Sequence, residues 1–312
     1  MRNVHAALTL TAALAAVAPH PAEATEGAAG RYMPGLYAQP GAGIVPPFPG
    51  AYWGVSNIVY SGSANFNIPI GDNIAAGVDA TVWTTALGGV FVPKLELGGN
   101  WTYAVSMVLP FGRMETAAFV GPFERTDVLG GLGDIQITPL LFGWHNDTGN
   151  TFFSAGLTVT APTGNYDPDK IAFVGMNYWS FTPYVAATHI DAAHGIDYSA
   201  KFGIDFNTTN PDTDYYSGAM AHLDVAITKS LTERFSAGIF TGVLYQIEDD
   251  DSTFADLVGG FKGRSVAVGP VLKYKAKIDD AEVDFSFSWA PEVHVENRLK
   301  GDAFYFNMSG KF

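Results

Sequence analysis

Apolar and polar side chains alternate with a period of two through most of the chain after residue 50. In 302–312, Phe304, Phe306, Met308, Gly310 and Phe312 share one face, and Tyr305, Asn307, Ser309 and Lys311 share the other. In 196–206, Ile196, Tyr198, Phe202, Ile204 and Phe206 oppose Asp197, Ser199, Lys201 and Asp205. Val283, Phe285, Phe287 and Trp289 likewise oppose Asp284, Ser286 and Ser288, and Leu223, Val225 and Ile227 oppose His222, Asp224 and Thr228. Along 264–276, Val266, Val268 and Leu272 are set against Ser265, Lys273 and Lys275. This period predicts β-strands with one apolar and one polar side. Twelve such segments lie near 51–62, 79–92, 100–112, 132–144, 151–163, 178–190, 196–208, 217–229, 233–247, 264–276, 282–292 and 302–312. Most exceed the usual globular strand and match the length of a tilted membrane crossing.

The connections carry a second signal. PKLELGG, HNDTGN, DAAHG, KSLT and KIDDA are short and polar or turn-like, and they alternate with longer stretches at 63–78, 113–131, 164–177, 209–216, 248–263 and 293–301. Short turns on one side and long loops on the other mark bacterial outer-membrane barrels. An even strand count leaves both ends of the wall on the periplasmic side. Residues 51–78 and 113–131 are poorly patterned, so fourteen strands is the alternative count.

A soluble sandwich shares this alternation, so periodicity alone does not choose. Both ends of the chain favour a membrane. Arg2, the apolar stretch Ala6–Ala18 and the small residues Ala22 and Ala24 read as a secretory signal peptide over 1–24. No later segment offers about 18 uninterrupted apolar residues, which leaves strands as the route into a bilayer. The last strand, bare and apolar on one side, is an aggregation hazard in water but fits a wall facing lipid. Its aromatic end resembles the signal by which outer-membrane barrels are recognised for insertion. The fold expected is all-β: a transmembrane antiparallel up-and-down barrel over 51–312.

Composition narrows the partners. Lys and Arg number 17 against 31 Asp and Glu, which disfavours nucleic acid, and the chain has no cysteine. Residues 25–50 are different in kind, with five prolines, six glycines and no alternation. Their apolar members, Tyr32, Met33, Leu36, Tyr37, Ile44, Val45 and Phe48, suggest a segment folded into the barrel mouth as a plug. A disordered periplasmic leader is the rival reading.

Several ordered blocks then identify a family. They are Gly131-Leu132-Gly133-Asp134 with Thr138-Pro139 and Gly143-Trp144-His145; Ala161 to Asp167; Asn177-Tyr178-Trp179-Ser180-Phe181; Gly269-Pro270; and Glu296-Asn297-Arg298. Together they resemble the outer-membrane family named for the meta-pathway of phenol degradation, a relative of the long-chain fatty acid transporter. The resemblance implies uptake of small apolar or aromatic molecules and a plug at residues 25–50.

Twelve strands leave room for a narrow passage. Asp134, Gln136, Asp197, Lys201, Asp205, His222, Asp224, Arg234, Lys273, Lys275 and Asp284 are expected inside, along the solute path or paired with one another to stiffen the wall. Trp83, Phe142, Tyr178 and Tyr184 are candidate aromatic contacts for a solute, or girdle residues. Phe304, Phe306, Met308 and Phe312 form the expected insertion signal, read by the barrel-assembly machinery. No cofactor or metal is expected. An outer-membrane enzyme using His222 and Asp224, and a structural barrel without transport, are the rival functions. The run Glu248-Asp249-Asp250-Asp251 reads as a solvated charge run before a calcium site.

Overall fold

The computed structural model describes residues 30–312 apart from 65–67, 71–72, 76, 121–122, 253–261 and 280. The expected signal peptide therefore lies outside the described residues, as do the first residues of the 25–50 segment. The strands are β1 (Gly50–Ala64), β2 (Ile68–Ile70), β3 (Asn73–Ala75), β4 (Gly77–Val92), β5 (Trp101–Val120), β6 (Phe123–Leu132), β7 (Gln136–His145) and β8 (Thr151–Thr160). They continue as β9 (Ser180–Asp191), β10 (Ile196–Asn207), β11 (Met220–Ser230), β12 (Phe235–Gln246), β13 (Arg264–Ile278), β14 (Ala281–Glu296) and β15 (Lys300–Lys311).

Closure comes from β1, which pairs with β4 on one side and with β15 on the other, setting Tyr52 against Lys311 and Val55 against Met308. Around the ring each strand is antiparallel to the next, and the β4–β5 pairing completes it. Twelve strands make the wall, because β6 pairs only with β5, and β2 with β3 forms a separate small hairpin. A closed ladder leaves no strand edge unpaired, which is what a hydrocarbon environment demands of a sheet.

The stretch 113–131, read from sequence as a loop, is corrected by the structure. β5 runs on to Val120 and β6 returns beside it. The first part of β5 pairs with β7, up to Val108 against Gln136, and the second part pairs with β6 from Phe111 against Leu132. The alternation there is blurred because the outward face carries Arg113 and Glu115 where a lipid-facing strand is apolar, and the inward face mixes Met114 and Thr116.

Sidedness follows the predicted parity. Phe304 and Phe306 are 43% and 44% exposed, and the outer face carries an aromatic ladder in which Phe285 meets Phe306 and Phe287 meets Phe304 at centroid separations of 6.3 and 6.4 Å. Tyr305, between the two phenylalanines, is buried in the interior. An apolar belt of this kind exceeds what a water-soluble protein exposes, and it suits lipid. The packed core is the lumen itself, where Tyr60, Val78, Met114, Phe240, Val271 and Tyr305 cluster with Ala38 and with Met33 and Leu36 of the N-terminal segment.

Candidate functional site

Residues 30–46 lie in the bore without joining the ladder, and Pro47, Phe48 and Pro49 lead from it, exposed, to β1. A segment in that position must satisfy its backbone by other means. It does so partly through its own turns, with Leu36 N bonded to Met33 O, Ala38 N to Gly35 O, and Ile44 N to Gly41 O. Wall side chains supply the rest. Ser199 Oγ accepts from Gly41 N and Thr188 Oγ1 from Gly43 N, both at 2.9 Å, and Tyr305 OH donates to Pro34 O at 3.1 Å. Gly43 is needed where it stands, since a Cβ there would fall 2.5 Å from the Ala187 carbonyl carbon.

Two carboxylates hold the segment at Arg31, Tyr32 and Gly35. Asp134 sits in the break between β6 and β7, and its Oδ2 meets Arg31 Nη1 at 2.6 Å with both side chains largely buried. The same carboxylate accepts from Gly164 N at 2.9 Å and Met176 N at 2.8 Å, so it ties the plug to the inturned loop 161–179. Arg31 also donates to Ser180 Oγ and Tyr178 O and lies 4.5 Å over the Tyr178 ring. Asp224 Oδ1 accepts from Tyr32 OH at 2.8 Å and from Gly35 N at 3.0 Å. Beside it, the His222 ring stacks on Tyr32 at 4.5 Å and leans on Tyr37 at 5.5 Å. Lys201 Nζ stands 3.6 Å from the Tyr37 ring centre and 4.1 Å from that of Tyr184, an ammonium between two π-faces. Asp205 completes this group, 3.8 Å from His222 and hydrogen-bonded to Thr182 Oγ1.

The segment borders two spaces. Toward the long loops is a chamber of about 150 Å³, walled by Val82, Met114, Phe173, Val174 and Met176, floored by Met33 and bordered by Arg31, Asp134 and Gln136. Toward the short turns is a vestibule of about 660 Å³ bounded by Gln39 and Ile44 of the plug and by the wall residues Lys273, Asp284, Asn307 and Lys311. Lys273 and Asp284, on the neighbouring strands β13 and β14, pair along its wall at 3.4 Å.

Placement of the expected residues can now be stated. Asp134, Lys201, Asp205, His222 and Asp224 converge on the plug, Asp197 accepts from the Ser199 hydroxyl that holds Gly41, and Gln136 borders the outer chamber. Lys273 and Asp284 lie lower, in the vestibule, and Lys275 is exposed close to the rim, its backbone N bonded to Arg234 O. Tyr178 and Tyr184 face inward. Trp83 and Phe142 do not: both point outward, 40% and 37% exposed, on the lipid side of their strands. The run 248–251 is also corrected. Asp250 is buried and accepts from Tyr215 OH and Gly218 N, Glu248 accepts from Tyr216 OH, and Asp249 pairs with Lys262, so the run staples an external loop. Among the described residues no group of three or more His, Cys, Asp or Glu is placed to hold a metal ion.

Arg31, Tyr32 and Tyr37 were not singled out as site residues by sequence reasoning. The signal was present in a weak form: an arginine and aromatics among prolines and glycines, in a segment expected to meet a lumen holding five aspartates.

A closed twelve-stranded antiparallel wall with an apolar exterior defines an outer-membrane β-barrel. The chain belongs to the family described as "Putative MetA-pathway of phenol degradation", which matches residues 63–308. Among solved structures it is similar to an outer membrane channel from Pseudomonas putida F1, at 16% identity and a TM-score of 0.68, over 90% of this chain and 100% of that one. It is also similar to the beta domain of the Bordetella autotransporter BrkA, at 9% identity and a TM-score of 0.51, over 85% of this chain and 100% of that one. At these identities the likeness is one of fold. No curated protein matches the sequence.

Proposed function

We propose that the protein is a passive outer-membrane channel for small hydrophobic or aromatic compounds, with residues 30–49 as its gate. One observation carries the reading: the bore holds a small space lined by Val82, Met114, Phe173 and Met176 with Arg31, Asp134 and Gln136, and a larger charged space, and the segment that borders both is held by side chains instead of a β-ladder. Side-chain latches break one at a time at a few kcal/mol each, whereas a strand in a closed wall does not leave it. The family description and the channel from Pseudomonas putida F1 support the same reading. His222 and Asp224 serve it as plug contacts, since the His222 ring is covered by Tyr32 and Tyr37 where a catalytic base needs open access to substrate. Phe304, Phe306, Met308 and Phe312 are assigned to lipid contact and to recognition by the barrel-assembly machinery.

Liposome swelling with phenol-like solutes tests the proposal, comparing the intact protein with one lacking residues 30–49. The intact protein should pass the solute, and the deletion should raise the rate. Equal rates reject the gate. No flux in either form leaves a structural barrel, and a hydrolase activity abolished by His222→Ala would instead make it an enzyme.

A further inference from the structure

The outer wall carries a groove across β1, β15 and β14. It measures about 330 Å³ and is lined by Val59, Ser61, Trp289, Asp302 and Phe304. We propose that it is a docking site for the phosphorylated amino-sugar headgroup of an outer-leaflet glycolipid, with Asp302 as the polar anchor. The site stands whether or not solute crosses the bore.

Phe304 and Phe306 face outward on β15, so Asp302 and Lys300, two and four residues before Phe304, share the lipid side. Ser61 stands shortly before β1 ends at Ala64, and Asp302 shortly after β15 begins at Lys300. The groove therefore lies toward the long loops, at the upper end of the aromatic ladder that joins Phe304 to Phe287. An ionisable group on a lipid-facing wall needs a polar partner, and here the headgroup layer is the nearest source of one. Asp302 is only half supplied by the wall. One carboxylate oxygen accepts from Trp289 Nε1 at 2.9 Å, and the other has no hydrogen-bond partner among the described residues.

The surroundings of that carboxylate narrow the ligand. Ser61 lies opposite Asp302 in the β1–β15 ladder, its hydroxyl 3.4 Å from that of Thr81. The Trp289 and Phe304 rings are nearly parallel, at an interplanar angle of 9° and a centroid separation of 6.4 Å, and are 41% and 43% exposed. A pyranose meets both demands, with a C–H face for the rings and hydroxyl and amide donors for the carboxylate. Lys300, exposed and without an ion pair among the described residues, stands one outward position nearer the loops, where it can take a phosphate on that sugar. A phospholipid headgroup brings phosphate but no face to lie on the rings. The volume falls at the low end of small-molecule sites, about 300–1,000 Å³.

Lipid retention by the full-length barrel, purified in detergent and read by native mass spectrometry, tests this with bisphosphorylated lipid A and phosphatidylethanolamine. The parent should keep lipid A through a detergent wash that strips phosphatidylethanolamine. Asp302→Leu, an apolar change that suits the lipid face, should lower lipid A retention about tenfold, as the loss of a hydrogen bond to a charged group implies. Ser61→Leu, which fills the groove, serves should the first not fold. Lys300→Gln should lower retention as well. Equal retention of the two lipids would overturn the sugar contact and the site with it. So would lipid A retention indifferent to these substitutions, or a dimer of barrels that Asp302→Leu dissolves, which would make this face an interface between copies.

Discussion

Gly242 of β12 and Gly35 of the plug meet backbone to backbone, so closely that a Cβ on Gly242 would stand 2.0 Å from the Gly35 nitrogen. Gly35 has φ +92° and lies against the Phe240 ring, a combination of conformation and space that glycine alone supplies. A wall residue without a side chain is what lets the plug lie flat against β12. Gly242→Val should therefore expel the plug while leaving the ladder intact, at about 1–3 kcal/mol for the forced displacement. The expected result is higher single-channel conductance and new protease cleavage within residues 30–49, with the heat-modifiable band of the folded barrel retained.

The Arg31–Asp134 pair predicts strong non-additivity. Removing the carboxylate by Asp134→Leu strands a buried guanidinium and frees the amides of Gly164 and Met176, at a cost of about 3–5 kcal/mol. Removing both charges with Arg31→Met and Asp134→Leu should recover the part due to the stranded guanidinium, while the amides of Gly164 and Met176 stay unpaired. A thermal-denaturation double-mutant cycle reads the coupling, and additive effects would contradict the geometry.

Asp224 separates the roles of charge and hydrogen bond. Its Oδ1 accepts both bonds from the plug, while Oδ2 has no partner among the described residues. Asp224→Asn keeps an acceptor at Oδ1 and should raise conductance little. Asp224→Leu, which leaves Tyr32 OH and Gly35 N without their partner, should destabilise the closed form by about 1–3 kcal/mol and raise conductance clearly. Equal effects would mean that charge, and not the bonds, holds the plug.

Sidedness is tested on one strand at adjacent positions. Phe306→Arg places a charge on the lipid face and should cost about 2–4 kcal/mol near the bilayer centre, seen as reduced folding yield into vesicles. Asn307→Lys points into the bore beside Ser56 and Ser286 and should fold nearly as well as the parent. A reversed order would place Phe306 inside.

Much of the wall was legible in the order of residues because a strand's side chains alternate whatever it pairs with. Phe285, Phe287 and Trp289 against Asp284, Ser286 and Ser288 already state the two faces, and lipid on one side with a polar bore on the other sharpens the contrast. The same logic failed at 113–131, where Arg113 and Glu115 replace apolar residues on the outward face and the hydropathy period fades. It failed also for Trp83 and Phe142, since aromatics are equally at home in a girdle and in a lumen. What the linear chain determined was a barrel of twelve crossings and which face of each strand carries its polar residues, although Lys275, expected inside, lies exposed near the rim. Only the closed structure decided which of them meet: Asp134 and Arg31, Asp224 and Tyr32, and Gly242 and Gly35 are each more than a hundred residues apart. Alternation is a local rule of the backbone. A plug without a ladder takes its place from side-chain contacts around the whole circumference, and those exist only after the ring has closed.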